Sequence, residues 1–268
     1  MIDLIKGAIS EIPSREEKVH TAREFLQILI LKTLYDRNYF KNFAFVGGTA
    51  LRLLYGLRRF SEDLDFSLIN KENWDFDGFL KGIIYELEKN GFSLNARETR
   101  KNVVQSAMFK FNDLLSDLGL SSQKGEKLSV KLELDTNPPP GWNTEISLVN
   151  RYFVFTVTHF DLPSLFALKL HACFYRKYTK GRDYYDLLWY LGKKLLPNFR
   201  LLNNAIEQTK NRRLNIDEAN FEGFLRERLR EVDFAKVRKD ADGFIEDKNE
   251  LKLLDGGLIL KLLSTEVA

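Results

Sequence analysis

The chain has 268 residues, of which 44% are hydrophobic and 29% charged, and its net charge is +3. This composition is typical of a folded protein with one large or two small domains, and it excludes a chain that is disordered throughout. The single cysteine, Cys173, excludes a disulfide framework and a cysteine zinc site. The three histidines are too scattered along the sequence to suggest a histidine metal site.

The N-terminal residues lack the apolar core and the small-residue cleavage site of a signal peptide. No apolar run approaches the roughly 18 residues that a membrane span needs. We therefore expect a cytoplasmic protein with no membrane contact.

The first part of the sequence predicts alternating helices and strands. Thr49 follows a Gly-Gly pair and can cap a helix. The strand over 127–135 alternates most cleanly, since every second residue from Leu128 to Leu134 is apolar. In chain order, the predicted elements are a helix over 16–36, a strand over 43–46, a helix from Thr49 to near Gly56, a strand over 62–68, a helix near 76–90, and strands over 92–98, 103–111, 127–135 and 151–157.

The second part of the sequence predicts helices only. Asp161 and Pro163 begin one helix, and Gly181 precedes another. Because the pattern changes near His159, we expect two domains, an α/β domain over 1–158 and an all-helical domain over 159–268.

Charge is distributed unevenly. Residues 62–88 contain eight acidic residues and two lysines, whereas residues 169–194 contain seven basic residues and two aspartates. An acidic block and a basic block suit a site that holds metal ions on one side and phosphates on the other. Two solvent-exposed faces would give the same pattern, so charge alone does not choose between these interpretations.

Carboxylates also recur on predicted strands. Asp63 and Asp65 are two positions apart, so they project from one face and can share a hard divalent ion. Glu133 and Asp135 share one face of a later strand in the same way. The Gly47-Gly48 pair between a strand and a helix can bring backbone N–H groups close to a phosphate. Taken singly, each pattern also fits an exposed strand face or a tight turn.

Lys169 is the unusual residue of the helical part. Between Ser164 and Phe174, every residue except Lys169 and His171 is apolar or small. Because burying an unpaired lysine is costly, its ammonium must reach water, a carboxylate or a ligand phosphate. Asp183 and Asp186 are three apart on the next helix; one could pair with Lys169, while the other caps the helix or pairs with Arg182. We interpret His171 as structural.

In combination, these elements resemble a known constellation. A strand, Gly-Gly, a helix, a strand with Asp-x-Asp and a later acidic strand resemble the core of the DNA-polymerase-β-like nucleotidyltransferase fold. The stretch GGTALRLLYGLRRFSEDLDF resembles the first motif of the AbiEii/AbiGii toxin family, and LFALKLHACFYRKYTKGRDYYDLLWYL resembles its later lysine and R-D-x-x-D-L motifs. The resemblance covers about 43–191 and implies an α+β fold, in which a mixed sheet flanked by helices precedes a C-terminal all-helical domain that completes the active site.

The resemblance also implies roles for individual residues. Asp63, Asp65 and Glu133 would hold Mg²⁺, or Mn²⁺ in its place, with Asp135 as the alternative third ligand. Lys169 and Asp183 would complete the catalytic set. The residues expected to contact substrate are Gly47, Gly48, Thr49, Arg59, Ser61, Lys131, Arg182 and Asp186.

The predicted function is that of a metal-dependent nucleotidyltransferase, the toxin of a toxin–antitoxin pair. It would transfer a nucleoside monophosphate from an NTP to an acceptor hydroxyl. The resemblance implies an RNA acceptor, the 3′ end of tRNA, and a cognate antitoxin as a further partner. Two alternatives stay open: transfer to a protein hydroxyl, and a nucleotide- or antitoxin-binding module without turnover.

Overall fold

The protein is described by a computed structural model that covers residues 1–101, 103–123 and 125–264. The strands are β1 (Phe43–Val46), β2 (Asp63–Leu68), β3 (Leu94–Lys101), β4 (Val104–Phe111), β5 (Leu128–Asp135), β6 (Thr144–Arg151) and β7 (Phe153–Phe160). The helices are α1 (Ile2–Ile9), α2 (Arg15–Asp36), α3 (Gly47–Tyr55), α4 (Phe76–Lys89), α5 (Leu114–Asp117), α6 (Leu162–Tyr175), α7 (Gly181–Gly192), α8 (Phe199–Lys210), α9 (Glu218–Arg230), α10 (Phe234–Ala241) and α11 (Gly256–Ser264).

The chain divides into two compact units. The sheet unit comprises Met1–Leu54, Ser61–Pro138 and Ile146–His159, and the helical unit comprises Tyr55–Phe60, Pro139–Glu145 and Phe160–Ala268. A single boundary near His159 does not describe the two short segments, which the sequence analysis assigned to the first domain. Their bonds explain the difference: the Phe60 N–H donates to the Phe244 carbonyl, and Asn198 Nδ2 donates to the Gly141 carbonyl at 2.8 Å.

The sheet is mixed and has seven strands in the order β3-β4-β5-β2-β1-β7-β6. β2 lies between β1, to which it is antiparallel, and β5, to which it is parallel. β1 also pairs with β7 in parallel, and the β3, β4 and β5 neighbours are antiparallel. The mixed sheet followed by a helical region confirms the predicted fold class.

One buried hydrophobic cluster forms the core of the sheet unit. All four β1 residues are buried, as a strand in the middle of a sheet requires. On β5 the apolar residues are buried and the polar ones partly exposed, which confirms the predicted alternation. Ser14 caps α2 by accepting a hydrogen bond from the Glu17 N–H, and Asp75 caps α4 in the same way.

Three local predictions were wrong or incomplete. α3 begins at Gly47, directly after β1, so Thr49 lies inside the helix and does not cap it; the chain turns at Gly47 itself, whose φ is +79°. The short amphipathic helix α1 was not predicted from the sequence. Edge strand β6 was not predicted either; its apolar residues Ile146 and Leu148 are exposed, and its Val149 is buried.

The helical unit has its own aromatic packing and close helix contacts. Phe166 of α6 stacks on Tyr190 of α7 with ring centroids 4.2 Å apart. At Gly181, the first residue of α7, a Cβ atom would collide with the Val237 carbonyl and lie 2.8 Å from the Ala241 nitrogen of α10. The α7 backbone can therefore approach α10 this closely only with glycine at this position. Among the described residues, no helix combines the length and the apolarity needed to cross a membrane.

Candidate functional site

Two neighbouring strands bring the predicted carboxylates together in the sheet unit. In the parallel pairing of β2 with β5, Asp63 is opposite Lys131 and Asp65 is opposite Glu133. All four residues are partly exposed, whereas the alternate residues Leu64, Phe66, Leu132 and Leu134 are buried. The polar side chains therefore lie on one face of the sheet, as the sequence predicts. Asp135 is opposite Ser67, two residues further along the strands than the Asp65–Glu133 pair.

Lys131 is an ion-pair partner within this carboxylate face. Its Nζ lies 2.6 Å from Glu133 Oε1. Partial burial alone would lower the pKa of Lys131, but Glu133, Asp63 and Asp65 outweigh it and raise the pKa above its ordinary value. The lysine is therefore fully charged at neutral pH, and its charge balances part of the negative charge of the face.

The carboxylate oxygens of this face are suitable ligands for a hard divalent cation. Asp63 and Asp65 offer carboxylate oxygens from alternate positions of one strand, and such oxygens are the ligands that Mg²⁺ and Mn²⁺ prefer. In the described part of the chain, however, no three candidate ligands converge on one point. Glu133 is bound to Lys131 instead. As a third ligand, Glu133 would have to leave this ion pair.

The Gly47 turn lies against Asp65. Gly47 has a left-handed φ of +79°, and a Cβ atom there would collide with Asp65 Oδ2 and lie 2.9 Å from Asp65 Cβ. Glycine is therefore required at this position both by its backbone conformation and by the approach of the carboxylate. The first backbone N–H groups of α3 thus lie at the same edge of the sheet as Asp65, and helix N-termini of this kind attract anions.

Thr49 and the backbone of Ser61 form hydrogen bonds that hold the segment leading into β2. Thr49 is fully buried, and its hydroxyl donates a hydrogen bond to the Asp63 carbonyl. This bond ties α3 to the start of β2, so we assign Thr49 a positioning role. The Ser61 carbonyl accepts a hydrogen bond from Gln27 Nε2 at 3.1 Å. Gln27, a buried polar residue in an apolar stretch of α2, therefore holds the segment before Asp63, and the sequence analysis missed it.

The helical unit contains a network of five charged side chains, of which four are buried and Arg176 is exposed. Lys169 Nζ lies 2.7 Å from both Asp183 Oδ1 and Asp186 Oδ2. Arg176 Nη1 lies 2.7 Å from the other oxygen of Asp183. Arg59 donates two hydrogen bonds to Asp186, at 2.5 and 2.7 Å. The structure therefore agrees with the prediction that Lys169 pairs with a carboxylate of α7.

Mutual pairing keeps these buried groups charged. Burial alone would raise the pKa of Asp183, but Lys169 and Arg176 outweigh it and hold the pKa below its usual range. Burial would lower the pKa of Lys169, yet Asp183 and Asp186 raise it above the ordinary value. Asp186 raises the pKa of Arg59 in the same way. The shifts of Asp183, Lys169 and Arg59 therefore all favour the charged form of each group.

Two predicted arginine roles need correction. Arg59 is only 3% exposed and forms a bidentate pair with Asp186, so its guanidinium is committed to a carboxylate rather than open to a phosphate. Asp186 is paired with Arg59 and Lys169 and not, as one alternative had it, with Arg182. The Arg182 guanidinium lies 3.9 Å from the ring centroid of Phe244. Arg176 is the network member to which the sequence analysis gave no individual role.

Comparison with known proteins shows which family the chain belongs to. The sequence matches the family described as "Nucleotidyl transferase AbiEii toxin, Type IV TA system" over residues 29–255. The chain belongs to the AbiEii family. The family prediction is therefore confirmed, and AbiEii membership indicates nucleotidyl transfer by the toxin of a type IV toxin–antitoxin system, with a nucleotide substrate and an antitoxin partner.

Solved structures support the same fold. JHP933 from Helicobacter pylori is 21% identical, with a TM-score of 0.54, and the match covers 90% of this chain and 91% of that one. A second H. pylori protein, assigned provisionally as a nucleotidyltransferase, is 23% identical with a TM-score of 0.55 over 90% and 92% of the two chains. No curated protein matches the AbiEii chain significantly. At these identities, the likeness to the solved structures shows the fold alone.

Replacing Gly47 by alanine should displace Asp65 in this AbiEii protein. The new Cβ would occupy the space of the Asp65 carboxylate, and the left-handed backbone adds about 1–2 kcal/mol of strain. Gly56→Ala is the matched control, because Gly56 also has a left-handed φ, +72°, but open space around it. We expect both variants to lose stability in urea unfolding and only Gly47→Ala to lose transfer beyond that loss. Equal activity in the two variants would contradict this account.

His171 should make AbiEii stability sensitive to mild acid. Burial, together with Arg176 and Lys210, lowers the pKa of His171 from 6.5 to about 4, and its Nε2 is 2.8 Å from Thr209 Oγ1. Because the unfolded chain binds this proton first, stability should fall as the pH drops from about 6.5 towards 4. His171→Gln should remove that part of the decline in thermal unfolding curves at pH 7 and pH 5. An unchanged decline would assign the acid sensitivity to other groups.

Proposed function

We propose that this AbiEii family member transfers a nucleoside monophosphate from an NTP to an RNA hydroxyl, with tRNA 3′ ends as the acceptor to test first. We also propose that the reaction requires a divalent cation, Mg²⁺ or Mn²⁺. One observation carries the proposal: Asp65 lies against the Gly47 turn and is in register with Glu133 of β5. Carboxylates next to the N-terminus of a helix are the elements that phosphoryl transfer with two cations needs.

In this reaction the acceptor oxygen forms a bond to the α-phosphorus of the NTP, the bond to the pyrophosphate oxygen breaks, and pyrophosphate leaves. The proton of the acceptor hydroxyl passes to solvent. A bound divalent cation would make the hydroxyl more acidic and offset charge on the phosphates. Asp63 and Asp65 would hold this cation, and Glu133 would join them on release from Lys131. Lys131 would then be free to contact a phosphate oxygen.

The other proposed contacts concern the triphosphate. The backbone N–H groups at Gly47 and Gly48 would donate to phosphate oxygens, because they lie at the N-terminus of α3. Gly47 leaves room there for the Asp65 carboxylate, with which an L side chain would collide. Lys169 would take part in transfer, as the family resemblance implies, with Asp183 and Asp186 fixing the direction of its ammonium. Arg176 and Arg59 would hold these carboxylates in place. Arg182 would contact a phosphate of the substrate, as the family resemblance implies.

The test is transfer of label from each of the four NTPs, carrying ³²P at the α position. The purified protein is incubated with Mg²⁺ and either total tRNA or a protein lysate, and a matched reaction contains EDTA. Label in tRNA that disappears with EDTA supports the proposal. Label confined to protein would identify a protein hydroxyl as the acceptor, and no label with any NTP would favour a binding module without turnover.

A further inference from the structure

A cleft in the helical unit is separate from the charged network around Lys169. It has a volume of about 290 Å³, close to the lower end of the range for small-molecule sites. It lies among α6, α8, α9 and the segment after α8. Its lining residues are Phe174, Tyr175, Ile206, Lys210, Arg212, Leu214 and Arg228.

The apolar wall of this cleft is held rigidly by its neighbours. Phe174 packs edge-on against Phe224, with ring centroids 5.8 Å apart at 89°. Tyr175 stacks on His171 at 5.6 Å and 14°. Ile206 of α8 is buried behind the cleft surface. These contacts hold the two rings that form the aromatic part of the cleft wall.

Three cations line the same cleft. In the part of the chain that the structure describes, no carboxylate forms an ion pair with Lys210, Arg212 or Arg228. Glu227, which precedes Arg228 in α9, is the acidic residue whose charge acts on the Tyr175 hydroxyl. The lining residues therefore include three cations and no carboxylate, and the nearby Glu227 offsets only part of this positive charge. An anion is the ligand that such a lining attracts.

Arg228 has an unsatisfied donor at this cleft. Its Nη2 lies 3.4 Å from the Tyr175 hydroxyl, and its guanidinium is 5.3 Å from the Tyr175 ring centroid. Its Nε is buried and has no hydrogen-bond partner among the described residues. A buried N–H without an acceptor costs about 1–3 kcal/mol, so an acceptor supplied by a ligand would be stabilising here.

We propose that this cleft binds one nucleotide unit of single-stranded RNA, with the base against Phe174 and Tyr175 and the phosphate against Lys210, Arg212 and Arg228. The combination of an aromatic wall with unpaired cations matches the two parts of a nucleotide. The inference deepens the proposed function, on which it rests, because it assigns the RNA acceptor a binding site within the helical unit.

The test compares two variants of the full chain that lose the same charge. Lys210→Ala/Arg212→Ala removes two exposed cations of the cleft, and Lys236→Ala/Lys239→Ala removes two exposed lysines of α10 that do not line it. Binding of a short, fluorescently labelled single-stranded RNA is measured by anisotropy over a series of salt concentrations. Thermal unfolding and binding of a non-reactive NTP analogue are measured for both variants as controls.

For the cleft variant we expect at least about tenfold weaker RNA binding and unchanged NTP-analogue binding. The slope of log affinity against log salt should fall by up to about 0.7, since the cleft contacts one phosphate and each phosphate contact on a single strand contributes about 0.7. The α10 variant should change RNA affinity less than about twofold. Equal losses in the two variants, or none in the cleft variant, would overturn the inference.

Two further measurements complete the test. Binding of AMP or UMP distinguishes a free nucleotide from RNA as the ligand, and the transfer assay distinguishes failure of the cleft proposal from failure of the proposed function. If AMP or UMP binds the wild type and loses affinity in the cleft variant while RNA does not, the ligand is a free nucleotide and the RNA assignment is wrong. If the wild type transfers no label to RNA but the cleft variant still loses RNA binding, the proposed function fails and the cleft remains an RNA site. If the cleft variant binds RNA as tightly as the wild type, the cleft is not an RNA site, whatever the result of the transfer assay.

Discussion

Asp65→Asn, and separately Asp63→Asn, should abolish nucleotidyl transfer while the protein stays folded. Both side chains lie on the partly exposed face of β2, and the buried face of this strand is formed by other residues. Asparagine keeps the shape but supplies a neutral, weaker ligand for a divalent cation. The expected loss is at least about 10³-fold in turnover, the scale of removing a principal electrostatic stabiliser. The readout is label transferred per minute at saturating NTP.

The control for this pair is Glu98→Gln on β3, an exposed strand carboxylate of the same sheet. Its turnover should remain within about twofold of the wild type. Direct binding of Mn²⁺, followed by electron paramagnetic resonance without NTP, provides a readout independent of activity. Mn²⁺ binding that is unchanged in both aspartate variants would exclude Asp63 and Asp65 as ligands.

Lys169→Met should eliminate transfer at a smaller cost in stability than Asp186→Asn. In Lys169→Met, Asp183 keeps Arg176 and Asp186 keeps Arg59, so both buried carboxylates retain a cation. The expected loss is about 1.5–3 kcal/mol, the value of a hydrogen bond to a charged group. In Asp186→Asn, Arg59 and Lys169 both lose a buried carboxylate, and about 3–5 kcal/mol should be lost.

Urea unfolding of the two variants beside Lys239→Met, an exposed control on α10, tests the order of stabilities. Transfer is then measured at a temperature where Lys169→Met is folded. Lys169→Arg should recover only part of the activity, because a planar guanidinium does not replace a compact ammonium between two carboxylates. Full activity in folded Lys169→Met would limit Lys169 to a role in stability.

The sequence was sufficient for those features that depend on local patterns. Alternating residues on β2 and β5 predicted both strands, and the spacing of Asp63 and Asp65 predicted their common face. The apolar surroundings of Lys169 predicted that its ammonium reaches water, a carboxylate or a ligand phosphate, and it pairs with the carboxylate of Asp183 on α7. Each of these features follows from residues a few positions apart or from a strong mismatch between a residue and its neighbours.

Features that depend on distant parts of the chain could not be predicted. Arg59 lies in a basic loop and was expected to contact substrate, but it pairs with Asp186, 127 positions away. The segment 139–145 belongs to the helical unit because residues such as Asn198 bind it, and nothing in its own composition indicates this.

The parallel pairing of β2 with β5 has a consequence for when a newly made chain becomes active. Parallel neighbours need a long connection, and here β3 and β4 lie in the chain between Asp65 and Glu133. At about 5–20 residues per second, the ribosome needs several seconds to make that connection, and such non-local pairing also forms slowly. If Glu133 completes the carboxylate set that we propose, a nascent or truncated chain carries Asp63 and Asp65 without it and should be inert until the sheet has closed.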